Sequence, residues 1–280
     1  MLKSVLAGSA FAMLLALPGV ADVIPALHDA LPQEYKDNGI KAAVFDDWAP
    51  DVYLDADGEL KGWSVDLAKE MQDRLGVPFT FEGTGFDAII PGLMAKRFDA
   101  GFSSFGTTEE RLKTLDFVAQ RKIGTSFGYP MDSTLTIKTA EDVCGVTVAV
   151  LNGSWDIGVL EALNANECKD KPVIVQTHGT QAQAELAVRS KRAEATIAGS
   201  VKLAYMAKQT GDLKVSDLVL SPVNSCIGVR KDDPLGQVMT DAIQSMIDDG
   251  TYEKIMAAWG LADSGMLTKA LLVTEANPDF

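Results

Sequence analysis

Asp99-Ala-Gly-Phe-Ser-Ser-Phe-Gly-Thr-Thr-Glu-Glu-Arg111 changes character twice along its length. It opens as a short apolar strand and becomes a loop of small residues, Ser103-Ser104-Phe105-Gly106-Thr107-Thr108. It ends at a helix start that Thr108 can cap, with Arg111 one turn in. Loop hydroxyls, free backbone N–H groups and a guanidinium therefore converge. The start of a helix is electropositive, and an arginine can grip a carboxylate with two parallel bonds. The combination suits a small carboxylate. It equally describes a capped surface helix with a solvated arginine.

Working outward, the flanking sequence alternates strand and helix. Residues 41–45 read as a first strand after a short helix over 24–36. Residues 64–75 read as a helix with Leu67, Met71 and Leu75 on one face and Gly76 as its stop. A strand over 77–81, a helix over 86–95 with Pro91 in or near its first turn, and a strand over 98–103 follow. A second run of the same kind has strands over 146–151, 173–176 and 195–198. Its helices cover residues up to about 164, then 181–190 and 201–209. Helices over 234–248 and 251–259 end the chain. Such alternation implies mostly parallel sheet flanked by helices. Two extended, turn-poor passages near 122–130 and 218–229 are candidate cross-overs between two α/β lobes.

The composition is that of a soluble globular protein: 280 residues, 47% hydrophobic and 23% charged, with a formal net charge of −14. So acidic a surface repels nucleic acid and anionic membrane, so neither is expected as a partner. The first 21 residues read as a secretory signal. Lys3 is their only charge, 11–17 are an apolar core, and Pro18-Gly19-Val20-Ala21 offers small residues for cleavage near Ala21. No cysteine near that point offers a lipid attachment site, and no later segment is long and apolar enough to cross a bilayer. The expectation is a free protein in a bacterial periplasm. Export makes a disulfide plausible. Cys144 and Cys168 flank one strand–helix unit and are the expected pair, leaving Cys226 as a buried thiol in an apolar strand. His28 and His178 have no partners at metal-ligand spacing, so no metal is expected and no cofactor either.

Three motifs imitate other chemistries. Asp55-Ala-Asp-Gly58 lacks the remaining ligands of a calcium loop and reads as a turn. Gly83-Thr-Gly85-Phe-Asp-Ala88 follows a strand too polar to begin a dinucleotide fold. Gly124-Thr-Ser126-Phe-Gly128 lacks the helix that a nucleophile elbow needs, since Tyr129-Pro130 follows.

Four stretches in fixed order carry a resemblance. They are Gly62-Trp-Ser-Val-Asp-Leu-Ala-Lys-Glu70, then Phe86-Asp-Ala-Ile-Ile-Pro-Gly-Leu93 with Arg97-Phe-Asp99, then Ser103 to Arg111 with Leu115-Asp-Phe117, and Asp248-Asp-Gly-Thr-Tyr252 with Trp259-Gly-Leu261. Together they resemble the bacterial extracellular solute-binding proteins of the polar amino acid family, the periplasmic receptors of ABC importers. The resemblance runs over about residues 39–261. It implies two α/β lobes joined by two strands, with a ligand in the cleft and closure by hinge motion. The lobe limits it implies are 22–125 with 225–280 for the first and 126–224 for the second. It also implies that Arg111 clamps the ligand carboxylate, that Ser103, Ser104 and Gly106 form the loop beside it, and that Trp48 packs over the ligand. Gly153, Ser154 and Trp155 would be the second lobe's loop.

The family pattern is broken where relatives hold the α-ammonium with an aspartate. That position is Gly199, in Ala198-Gly199-Ser200. A buried ammonium without a counter-ion is costly. Either another acid serves, with Asp46, Asp47 and Asp156 as candidates, or the ligand lacks a standard α-amino group. Phe45 also stands where relatives often carry a polar residue. Trp48, Trp155, Phe86 and Phe105 could form an aromatic wall.

The expected function is capture of a small carboxylate-bearing, amino-acid-derived solute by a monomeric, non-catalytic protein that delivers it to an ABC transporter permease. One alternative is a cyclohexadienyl dehydratase-like enzyme, which needs a protonatable side chain in the cleft. Another is a solute-loaded ligand of a sensory receptor.

Overall fold

The computed structural model describes residues 23–262 and 265–279, so the expected signal segment lies outside the described residues. The chain opens with two short helices, α1 (Pro25–Ala30) and α2 (Gln33–Asn38), where one was expected. The break falls at Leu31-Pro32, because the proline ring drives the residue before it out of helical backbone, and Leu31 has ψ 137°.

Next come β1 (Ile40–Val44) and a small antiparallel sheet of β2 (Asp47–Trp48), β3 (Val52–Leu54) and β4 (Leu60–Lys61). Periodicity did not reveal this sheet, since its strands are too short to alternate. Its tip is the expected turn, in which Asp55 Oδ1 accepts from the N–H groups of Asp57 and Glu59 at 2.9 Å each. Helix α3 (Trp63–Leu75) buries Leu67, Met71 and Leu75 and stops at left-handed Gly76. It begins at Gly62, whose φ is 138° and where a Cβ would stand 1.9 Å from the Asp51 carbonyl oxygen, so no other residue fits.

The first lobe continues through β5 (Phe79–Gly83), α4 (Phe86–Met94), β6 (Ala100–Phe105) and α5 (Glu109–Leu112). Pro91 lies inside α4, beyond the first turn. Strand β1 pairs in parallel with both β5 and β6. The long strand β7 (Leu115–Pro130) then leaves this lobe for the other. Beyond a 3-10 turn (Ala140–Val143) closed by reciprocal Thr139–Asp142 bonds lie β8 (Thr147–Leu151), α6 (Asp156–Ala165), β9 (Ile174–His178) and α7 (Gln181–Arg189). Then come β10 (Ala195–Gly199), α8 (Ser200–Thr210) and β11 (Leu213–Val215). Strand β12 (Leu220–Arg230) returns, and α9 (Pro234–Asp248), α10 (Thr251–Ala258) and β13 (Leu272–Val273) finish the chain.

The main sheet has the order β5-β1-β6-β12-β7-β10-β8-β9. Strands β7 and β12 stand at its centre and run antiparallel to each other. The start of β7 pairs with the end of β12, Leu115 opposite Arg230, whereas its later part pairs with β10, Thr125 opposite Gly199. Each long strand therefore belongs to both halves. The fold is the expected one: mixed α/β, two lobes of mostly parallel sheet flanked by helices, joined by two strands. The ladder between the joining strands slips twice, around Pro222 and at Ser225/Cys226. Proline has no N–H to give a ladder, which weakens pairing there.

Phe127, Val148, Val150, Leu160 and Ile197 sit in a core of their own in the second lobe. Phe102, Phe117, Ile243 and Met246 belong to the larger one. The tail was not legible in the sequence. Its β13 covers the edge of β7, Val273 opposite Phe117, and Asp279 accepts from Asn224 Nδ2 at 2.8 Å and, through its carbonyl, from Thr107 Oγ1 at 2.7 Å.

Cys144 and Cys168 form the expected disulfide, and Cys226 is a buried free thiol. The bridge closes a loop with a sequence separation of 24 residues across the second lobe. Replacing both cysteines with alanine is expected to lower unfolding free energy by about 2–4 kcal/mol. Chemical denaturation of the oxidised protein and the double variant checks this, with the loss carried by the second lobe.

Candidate functional site

Strand β6 ends in the loop that the sequence singled out, and its hydroxyls are already engaged. Ser103 Oγ accepts from the Phe45 N–H at 2.8 Å, fastening the loop to the end of β1. Ser104 takes a left-handed backbone, φ 50°, and its hydroxyl donates to Asp51. Asp51 is buried and also accepts from Trp63 Nε1 at 2.7 Å. Burial pushes its carboxyl pKa up, against the opposing pull of those two donors. Asp51 is thus a brace under the loop that the sequence did not mark. The one available sign was its place directly after Ala49-Pro50, which carries no chemistry of its own.

Thr108 caps α5 as expected, accepting from the Arg111 N–H at 3.1 Å. The Arg111 side chain then reaches across the cleft. Nη1 donates to the Gly106 carbonyl at 2.6 Å and Nη2 to the Gly153 carbonyl at 2.7 Å. The first belongs to the loop after β6, the second to the loop after β8. Burial lowers the guanidinium pKa to about 10, with Asp156 and Glu110 pulling it back up. The group remains charged at neutral pH. It keeps N–H donors beyond these two bonds, and the Phe105 ring lies 5.6 Å from its central carbon.

An interior cavity lies beside it. The first lobe contributes Trp48, Phe86, Ser103, Ser104 and Gly106. The second contributes Leu151, Ser154, Trp155, Asp156 and Gly199, and the joining strands supply Ile123, Thr125 and Val223. The space is only about 30 Å³, room for a water or two. Trp155 lies against Gly106, where a Cβ would come within 2.6 Å of its ring. Trp48 approaches Gly199, its Cζ2 3.9 Å from where a Cβ there would stand.

Most of the expected site residues are brought together, but three stand differently. Arg111 and Gly153 line a neighbouring cavity, which shares Phe86, Ser154 and Trp155 with the first. Asp47 faces neither. Its Oδ2 accepts from the Ala182 N–H at 2.8 Å in the first turn of α7, across the cleft, because a helix start has unpaired N–H groups to offer. Of the rings, Phe86 lines the cavity while Phe45 and Phe105 are core, Phe45 against Phe86 at 5.8 Å and Phe105 against Phe86 at 5.1 Å. Thr125, Ile123 and Val223 were not anticipated, since a strand reading does not say which face of a crossing strand meets a cleft. Among the described residues no cluster of side chains is suited to a metal ion, and no helix is long and apolar enough to span a membrane.

The sequence matches the model of one family, the bacterial extracellular solute-binding proteins, family 3, over residues 40–262. The chain belongs to this family. Among its relatives is the histidine-binding periplasmic protein of Salmonella typhimurium, 31% identical over 81% of this chain and 87% of that protein. Another is the arginine-binding protein ArgT of Corynebacterium glutamicum, 29% identical over 90% of this chain and 84% of that one. Holo ArgBP from T. maritima superposes with a TM-score of 0.69 at 30% identity, covering 82% of this chain and all of the other, 100%. The ancestral amino acid-binding protein AncCDT-1, described as a precursor of cyclohexadienyl dehydratase, gives 0.73 at 30% identity, covering 81% and 98%. The narrow space between the lobes is bridged by one guanidinium, a closed arrangement of the cleft.

Gly106 should then be intolerant of a side chain. Gly106→Ala sets a methyl group against the Trp155 ring and is expected to leave far-UV circular dichroism unchanged while altering tryptophan fluorescence. Unaltered fluorescence would mean that Trp155 does not pack on this glycine in solution.

Proposed function

We propose that this chain is an exported solute-binding protein that captures a small, carboxylate-bearing, amino-acid-derived ligand between its lobes and presents it to an ABC transporter permease. The observation that carries the reading is the Arg111 guanidinium, donating to Gly106 of one lobe and Gly153 of the other beside a cavity walled by Trp48 and Trp155. A carboxylate arriving there meets a fixed positive charge with donors to spare. Ser103, Ser104 and Gly106 position the near side and Ser154 with Trp155 the far side. We place the lobe limits at 22–125 with 225–280 and at 126–224, so that the joining strands would cross near residues 125 and 224. Family membership and the names of the relatives support amino acid capture, periplasmic residence and a transporter partner. We take the protein to act as a monomer.

Opening is part of the proposal. A space of about 30 Å³ is far smaller than an amino acid. Ligand entry therefore requires the lobes to part and the Trp155 ring to leave Gly106, as hinge closure around ligands demands.

A dehydratase reading draws on one observation, the buried Asp156 carboxyl, whose pKa burial raises. A general acid needs that property, and the likeness to AncCDT-1 gives it a precedent in kind. Loss of prephenate or arogenate over time with the purified protein would establish it. Binding without turnover is the outcome expected here.

Arg111→Ala is expected to weaken solute binding by about 2–5 kcal/mol, the range for removing one half of a buried charge pair. The small molecule that co-purifies with the wild-type protein, released by denaturation and identified by mass, supplies the ligand for calorimetry. Equal affinity of wild type and variant would remove the basis of the proposal.

A further inference from the structure

Asp156 opens helix α6 and points into the inner cavity, at only 6% exposure. Its Oδ1 accepts from Thr125 Oγ1 at 2.8 Å. Among the described residues, none forms an ion pair with it; the Arg111 guanidinium acts on the carboxyl only as the smallest of the influences on it. The Ser154 hydroxyl also acts on the carboxyl, and the rest of the cavity wall around it includes the rings and aliphatic groups of Trp48, Trp155, Leu151 and Ile123, with no cationic side chain among the lining residues. Other buried carboxylates of this chain are better matched. Asp51 has a hydroxyl and an indole N–H, and Glu185 has Lys202 at 3.3 Å. A carboxylate enclosed by apolar walls and held by hydroxyls calls for a cation.

The topology says where that cation sits. Thr125, which holds Asp156, is the residue directly opposite Gly199 in the ladder between β7 and β10. The carboxylate thus lies beside the bare glycine. A Cβ at Gly199 would find its nearest neighbours, Ile123 Cδ1 and Trp48 Cζ2, at 3.8 and 3.9 Å, so there is room for a small group in front of it. Those neighbours are a methyl group and an indole ring carbon, which offer a cation no charge but do not repel one.

We propose that Asp156 is the ammonium anchor of this protein, binding the α-amino group of a zwitterionic amino acid in the space before Gly199 while Arg111 takes the carboxylate. The inference rests on the reading of the cleft as a solute site. It excludes des-amino acids as the preferred ligands, because they would leave Asp156 buried without a cation. Asp46 and Asp47 are set aside by geometry. Asp47 is occupied by the α7 N–H, and neither residue lines the cavity.

The test uses the full mature protein and a panel of standard L-amino acids, each beside the acid that lacks its α-amino group. Binding is read by thermal shift and then calorimetry. The wild type is expected to prefer one or more amino acids over their des-amino partners by about a hundredfold, the scale of one buried charge contact. Asp156→Asn keeps the size of the side chain and its bond to Thr125. It is expected to lose most of that preference while binding the des-amino acid nearly as before. Adding Gly199→Asp to Asp156→Asn returns a carboxylate to the same space and is expected to restore tenfold or more of the lost affinity on that scale. A circular dichroism spectrum and melting point like the wild type's confirm that each variant folds. If Asp156→Asn weakens both members of a pair equally, or the wild type shows no preference for the amino group, the assignment is wrong. If Arg111→Ala abolishes binding while Asp156→Asn does not, the cleft reading stands and the anchor fails. If no member of the panel binds, both fail.

Discussion

A single guanidinium ties the two halves of this protein together at the point where a solute would lie. Arg111 gives one N–H to a first-lobe carbonyl and another to a second-lobe carbonyl. Only the second bond requires the lobes to be closed; neither carbonyl carries a formal charge, and Asp156 and Glu110 act on the arginine without pairing with it. A half-buried cation whose hydrogen bonds go to neutral acceptors gains when an anion joins it. On the proposed reading, that condition links lobe closure to the ligand. Two further cross-cleft hydrogen bonds, Asp47 with the Ala182 N–H and Asn152 Nδ2 with Asp87 Oδ2 at 3.3 Å, involve no residue of the inner cavity and reinforce closure.

The hinge is set by sequence in a more ordinary way. Strands long enough to belong to two sheets must lose their ladder somewhere if the sheets are to move. Here β12 slips at Pro222 and again at Ser225/Cys226. The C-terminal tail closes over the same region from outside, its Asp279 holding Asn224 of β12 and Thr107 of the loop before α5. The tail lies mostly beyond the family match and yet touches both the joining strand and the segment leading to Arg111. It is a brace that the second lobe does not share.

Much of this was legible beforehand. The alternation of apolar stripes and turn residues located the helices and the parallel strands, because each period reflects a buried face. The disulfide pair followed from flanking positions around one strand–helix unit. Three kinds of feature were not legible. The sheet of β2 to β4 has strands of two or three residues, below the length at which alternation can be read. The tail strand β13 owes its form to an open edge on β7, a tertiary circumstance. The polar partners in the site were the third. Sequence spacing brought Arg111 and the serine loop together, but it could not show that Ser104 would be spent on Asp51, that Asp47 would cap a helix of the other lobe, or that Thr125 would reach Asp156.

Those partners decide how the site relates to stability. Burial raises the carboxyl pKa of both Asp51 and Asp156 above the ordinary value of 3.8. A carboxyl raised in the folded state contributes stability that is complete below its unfolded pKa and is lost as pH rises through the folded value. At neutral pH these groups therefore oppose folding of the unliganded protein, and hydroxyl and indole donors offset only part of that. Asp51 gains from this a fixed Ser104 and so a fixed loop. Asp156 gains little within the chain itself, only the small pull of Arg111, since Thr125 would bind an amide equally well. A charge retained at a cost to the free protein makes sense if it is used when the cleft is filled, the usual place where stability is given up for function. The same carboxyl that weakens the empty molecule at pH 7 is then the one whose desolvation a bound cation reverses, so the difference between empty and filled states is largest where the free protein is least well matched.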